Sequence, residues 1–117
     1  MVVEQLIHAA ASLRDDVVVI GQALVSEGIV ENSYNPLSYA WEVHEAYLSQ
    51  FGGLGAKTVL LGMNPGFLGM GQTGVAFGAT SVVRDLLGIT GISVGQPESA
   101  DPRRPPTPDR TASGPRP

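Results

Sequence analysis

No cysteine occurs in the 117 residues, and only two histidines, His8 and His44. The first absence excludes a disulfide framework, a thiol nucleophile and a thiolate metal site, and two isolated histidines leave little for a metal. No apolar run approaches the ~20 residues that a helical membrane span needs. The opening MVVEQLIHAAASLRDD has no basic leader before its apolar residues and runs into acids, so a soluble, unexported, intracellular protein without cofactor or structural metal is expected. Positive charge is also scarce. Residues 1–97 hold three basic residues, Arg14, Lys57 and Arg84, against eight acids, whereas residues 98–117 hold four arginines against three acids. A body so acidic argues mildly against tight nucleic-acid binding, which usually leaves a basic footprint.

What is present is enough for one small domain. From Val3 to about Ser26, the residues Val3, Leu6, Ile7, Ala10, Leu13, Val17, Ile20 and Leu24 recur at spacings of three and four, the apolar face of an amphipathic helix that Gly28 ends. The β-branched run VVVIG leaves a strand over Val17–Ile20 as a competing reading. SYNPLSYAWEVHEAYLSQFGG reads as an extended entry, a turn at Pro36 and a second helix, with Ser38 as candidate N-cap and Gly52-Gly53 as the stop. Tyr39, Val43, Ala46 and Tyr47 would face the core. KTVLL, residues 57–61, reads as a short strand apolar on both faces, and TSVVRDLLG as a helix with Val82, Val83, Leu86 and Leu87 inside. Helix, helix, strand, long loop and helix suggest part of an α/β sandwich. From Gln96 onward stand seven of the nine prolines and two apolar residues, both alanine. That composition predicts a disordered tail over residues 96–117, beyond a foldable portion of residues 1–95.

Between the strand and the last helix lies GMNPGFLGMGQTGVAFG, with six glycines in seventeen residues. Three readings compete. Gly66 to Thr73 fits a phosphate-binding loop except that Gln72 replaces the lysine that would neutralise phosphate charge. Gly69-Met70-Gly71-Gln72-Thr73-Gly74 is a literal G-x-G-x-x-G, but MNPGFL intervenes on the strand side and VAFGAT on the side of the helix, where the motif should be flanked directly. In the third reading the segment is an irregular ligand loop. Asn64 can both accept from and donate to a water, Phe77 offers a flat apolar ring, and the small residues admit backbone amides close to a planar base. A plain glycine-rich connector with Phe77 in the core is the structural alternative.

This segment, with YNPLSYAWEVHEAYL before it and VVRDLLGI after it, resembles the single-strand-selective monofunctional uracil-DNA glycosylases, the third family of the uracil-DNA glycosylase superfamily. The resemblance runs from Tyr34 to about Ile89, and ADPRRP continues it faintly. It implies an α/β fold, a partial three-layer α/β/α sandwich of the uracil-DNA glycosylase type, and a hydrolase of base-excision repair that frees uracil from single- and double-stranded DNA. Asn64 would hold the water that attacks the anomeric carbon. Phe77 would stack on the flipped uracil, Gly66 and Met70 would shape the pocket wall, and the backbone at Met63 would contact the base. Tyr39, Trp41 and Gln72 would support, while Trp41 reads more simply as core packing and His44 as a solvated or core-edge histidine. DNA is the implied partner of a monomer that needs no cofactor or membrane, cytoplasmic in a bacterium or nuclear in a eukaryote.

The resemblance also implies an asparagine that reads the uracil edge and a histidine in a His-Pro-Ser-type motif, yet no histidine or asparagine follows Asn64. A truncated or frame-disrupted member, weakly active or inactive, is therefore expected. A small non-catalytic or nucleotide-binding module built on Gly62–Gly78 is the alternative. Within the loop, Phe67 and Ala76 stand where that family commonly has proline and Gly71 where it often has alanine. Each should loosen the unfolded loop by about 0.4–1 kcal/mol.

Overall fold

A computed structural model describes residues 2–92 and 94–95. The first element, α1 (Val2–Ser26), is helical throughout, so the strand alternative at Val17–Ile20 does not form. Its end is set by Gly28 in the left-handed region at φ 74°. There the amide of Gly28 donates to Val25 and that of Ile29 to Leu24, at 3.1 and 3.0 Å. This is a Schellman closure, which glycine enters without a Cβ penalty.

The inward face of α1 is rotated from the expected one. Ile7, Ala10, Arg14, Val17, Gly21 and Leu24 turn inward, while Leu13 and Ile20 are more than half exposed. One hydrogen bond and one close approach go with this orientation. Asn35 donates its side-chain amide to the carbonyl of Arg14 at 2.9 Å. At Gly21 the absent side chain admits Ser33, whose Oγ would lie 2.3 Å from a Cβ at that position.

Asn35, rather than Ser38, caps the next helix. Its Oδ1 accepts from the amide of Leu37 at 3.2 Å, and Pro36 occupies the first turn of α2 (Pro36–Tyr39), where its missing N–H costs nothing. A break at Ala40 separates α2 from α3 (Trp41–Phe51), which stops at Gly52. Gly69 then precedes the single turn α4 (Met70–Thr73), closed by Gly74 at φ 74°. The last element, Val82–Leu86, is a π-helical turn rather than an α-helix. Its wider winding, with the amide of Leu87 donating to Val82 at 3.0 Å, buries Val83 and leaves Leu86 78 % exposed, against the expectation that both lie inside.

The α/β expectation fails. Among the described residues there is no strand and no sheet, so the three-layer α/β/α sandwich is replaced by an all-helical arrangement. Lys57–Leu61 runs without regular structure, with Val59, Leu60 and Leu61 at 87, 75 and 93 % exposure. The physical reason is that a strand is held by amides and carbonyls paired with a neighbour, and this apolar segment has no strand beside it. The expected disorder from residue 96 onward lies outside the described residues.

The core sits between α3 and the chain beyond α4. Ala40, Val43, Val75, Val83, Ile89 and Val94 form it, with Tyr39, Ala46, Tyr47, Phe51, Leu87 and Ile92 packed around. Fully buried aliphatic side chains of this kind are worth roughly 1.5–3 kcal/mol each. Glycine-loop residues thus supply one wall of the core. Gly78 makes the close approach possible, because a Cβ there would lie 2.8 Å from Val75 Cβ, Val75 O and Val83 Cγ2. Gly78→Ala should therefore destabilise by about 1–3 kcal/mol, a loss a denaturant melt measures; an unchanged midpoint would contradict this packing.

Candidate functional site

The segment from Gly62 to Gly78 divides into a loose first half and a tied second half. In the first, Met63 is 97 % exposed, and Asn64 and Gly66 are exposed as well. The Asn64 amide donates to the carbonyl of Pro65 at 3.4 Å, a long bond on an open surface. In the second half the chain doubles back. The carbonyl of Gly66 accepts from the amides of Gly69 and Gly71 at 3.2 and 2.7 Å, which brings Gly66 and half-buried Met70 into one turn.

That turn explains why residue 71 is glycine here. A Cβ at Gly71 would lie 2.6 Å from the Gly66 carbonyl oxygen. An alanine there would push against backbone, so the entropic gain of removing a glycine is opposed by a clash in the folded loop.

Thr73 organises the stretch from there to Gly78. Its side chain is 1 % exposed, and its hydroxyl donates to the carbonyl of Gly78 at 2.6 Å while accepting from the amide of Val75 at 3.2 Å. Gln72 is joined to Thr80, whose hydroxyl donates to Oε1 at 3.2 Å. Two side chains from the preceding helices reach the same stretch. Tyr39 donates its hydroxyl to the carbonyl of Gly71, and the His44 ring uses Nδ1 to donate to the carbonyl of Gly74 at 2.8 Å. The loop is fastened by side-chain donors from α2, α3 and α4.

Phe77 stands at the end of this scaffold with its backbone at φ 57°, the one positive φ outside glycine among the described residues. Its ring is 66 % exposed, which rules out the reading of Phe77 as a core residue. The ring lies against Gly62, since a Cβ there would be 3.4 Å from Cζ and 3.7 Å from Cε1. The fold thus brings Phe77 to the backbone two residues before Asn64, across fifteen positions of sequence. It does not enclose them, and the residues around Asn64 exclude little water.

The same bonds weigh against a phosphate cradle. The amides of Gly69, Gly71, Gln72, Thr73 and Gly74 all donate to carbonyls within the loop, whereas a phosphate loop must turn such amides outward. No group of three or more metal-ligating side chains is found among the described residues. No helix among them is long and apolar enough to cross a membrane.

Electrostatics near the site is muted. Arg84 donates from Nε and Nη2 to the carboxylate of Asp85 at 2.7 and 2.9 Å, which holds that carboxyl below its ordinary range. The Arg14 guanidinium lies 4.5 Å above the Trp41 ring and pairs with Asp15. Neither cation faces outward alone. His44 sits between the rings of Trp41 and Tyr47, at 6.0 and 6.4 Å between centroids. Burial lowers its pKa by more than the bond to the Gly74 carbonyl raises it.

Comparison with known proteins gives a sequence likeness over part of the chain. No protein-family model matches the chain, and no solved structure does. Over 72 residues, 62 % of the chain, it is 50 % identical to the single-strand selective monofunctional uracil DNA glycosylase of Bos taurus. It is 51 % identical to the Rattus norvegicus protein of that name and 49 % to the Mus musculus one. Over those 72 residues the chain is similar to single-strand selective monofunctional uracil-DNA glycosylases. It spans about a quarter of the length of these curated relatives, 25–26 %.

Two residues of this scaffold escape sequence reasoning. Thr73 carries no signal beyond its place in a glycine-rich run, and His44 reads as core-edge. A donor three residues from an aromatic on α3 is the available clue. Because the folded state favours neutral His44, folding stability is full above the ordinary imidazole pKa near 6.5 and is lost as pH falls below it, where the unfolded chain takes up a proton that the native ring resists. Melts between pH 5 and 7.5 should show stability rising with pH in the native chain and a flatter dependence in His44→Asn; parallel curves would contradict the buried, neutral ring.

Proposed function

We propose that the chain is a uracil-DNA glycosylase-like protein of base-excision repair, directed at uracil in single- and double-stranded DNA. The observation that carries this reading is the Phe77 ring standing exposed against Gly62, beside the Met63-Asn64 pair. It is supported by about 50 % identity to enzymes of that name.

In this reading a base turned out of the strand stacks on Phe77, and the backbone at Met63 meets its edge. Gly66 and Met70 shape the wall of the pocket. Asn64 orients a water through its amide. The water oxygen bonds to the anomeric carbon, the bond to the base nitrogen breaks with its electron pair leaving on uracil, and the proton the water gives up passes through solvent to the uracil anion, leaving neutral uracil and a sugar hydroxyl. A neutral asparagine suits a reaction whose sugar becomes positive and whose leaving group becomes negative, because it can hold water without competing as a charge. Anion stabilisation by positioned donors is worth about 3–4 kcal/mol each. An exposed Asn64 and an open loop supply little of it, so these 117 residues alone should be weakly active or inactive.

The nucleotide-module alternative is disfavoured by the inward use of the loop amides. Binding tests the preferred reading without relying on turnover. A single-stranded oligonucleotide carrying one deoxyuridine should bind about tenfold more tightly than the same strand with an abasic analogue there, since stacking one base contributes ~1–3 kcal/mol. Phe77→Ala should erase the difference, and any uracil release should fall about 100- to 1,000-fold in Asn64→Ala. Equal affinity for the two strands would overturn the reading.

A further inference from the structure

The backbone of Phe77 raises a question that base stacking does not answer. A bulky side chain at φ 57° is in a region L-residues avoid, at a cost that surrounding contacts must offset. The amide of Gly78 donates to the carbonyl of Val75 at 2.9 Å, which closes a turn over Val75-Ala76-Phe77-Gly78 with positive φ at its third position only. That is the form of a type II turn, whose third position ordinarily takes glycine or asparagine. Phenylalanine stands there against that preference, so contacts outside the turn must offset the cost.

Two side chains are placed to do so. Thr73 bridges the ends of the turn through its buried hydroxyl. His44 acts one residue before it, on the carbonyl of Gly74, and so sets the plane of the Gly74–Val75 peptide from which the turn departs. His44 is itself held on α3 between Trp41 and Tyr47, and Val43 beside it is fully buried. A carbonyl acceptor requires Nδ1 to carry the proton.

We propose that His44 is a positioning residue for Phe77. Its Nδ1–H fixes the Gly74 carbonyl, holds the strained turn in register with α3, and thereby keeps the aromatic ring against Gly62 where a base would stack. The inference rests on the reading of the loop as a base-binding surface, but its geometric half stands apart from that reading.

The test uses the full chain with ring-13C phenylalanine, Phe77 being assigned by its loss in Phe77→Leu, and two replacements of His44. His44→Asn keeps an amide donor, and His44→Leu removes it. The expected result is that Leu shifts or broadens the Phe77 ring signals and cuts the preference for deoxyuridine over the abasic strand by about 3- to 10-fold, the value of one hydrogen bond, while Asn restores both. Unmoved Phe77 signals and an unchanged preference in His44→Leu would overturn the proposal. If the native chain shows no preference at all, the base-binding reading fails, and the ring signals alone decide the role of His44. Should His44→Leu fail to fold, 15N spectra of the unmutated protein decide it: a protonated Nδ1 at neutral pH is required, and a proton on Nε2 alone would sink the idea.

Discussion

The hydroxyl of Thr73, buried and shared between the carbonyl of Gly78 and the amide of Val75, is the contact on which the rest of the candidate site depends. It closes the second half of the glycine loop into a compact piece that packs Val75 into the core and leaves Phe77 outside. A polar group buried this deeply costs about 1–3 kcal/mol if unpaired, so it either makes both bonds or the local structure opens. Gly74, reached by His44, and Gly71, reached by Tyr39, tie that piece to α2 and α3. The loop is therefore an extension of the helical core, and its glycines serve close backbone approach more than flexibility.

Several features are legible in the sequence because they are local. The 3.6-residue spacing from Val3 to Leu24 and the stop at Gly28 are properties of one segment, and α1 forms across it. The spacing of Tyr39, Val43, Ala46 and Tyr47 points to the core for the same reason, and they pack in or against it. The failures are non-local. KTVLL has the composition of a buried strand, but strand formation is a property of a pair, and no pairing segment lies alongside it among the described residues. The inward face of α1 meets Asn35 and Ser33, more than ten residues from the positions they touch, and the π-helical winding at Val82–Leu86 has no periodicity a sequence scan would register. Asn64 and Phe77 can be singled out from side-chain chemistry and from family resemblance. That the Phe77 ring comes to rest on Gly62 cannot.

Positions 71 and 76 play separate parts in this structure. Gly71 is required by the Gly66 carbonyl, so it belongs with the fold as it stands. Ala76 occupies the second position of the turn that presents Phe77, where proline would pre-set the backbone. With alanine there, more of the turn's cost falls to Thr73 and His44. The half of the loop around Asn64 is held by fewer bonds, and a water-positioning side chain there is correspondingly less preorganised.

The central claim is that the side chains of Thr73, His44 and Tyr39 hold the glycine loop on the helices so that the Phe77 ring lies over Gly62. Nuclear Overhauser contacts in the labelled chain measure that arrangement most directly. The account predicts strong cross-peaks between the Phe77 ring protons and the α-protons of Gly62; a ring that shows only contacts to its sequence neighbours would contradict it.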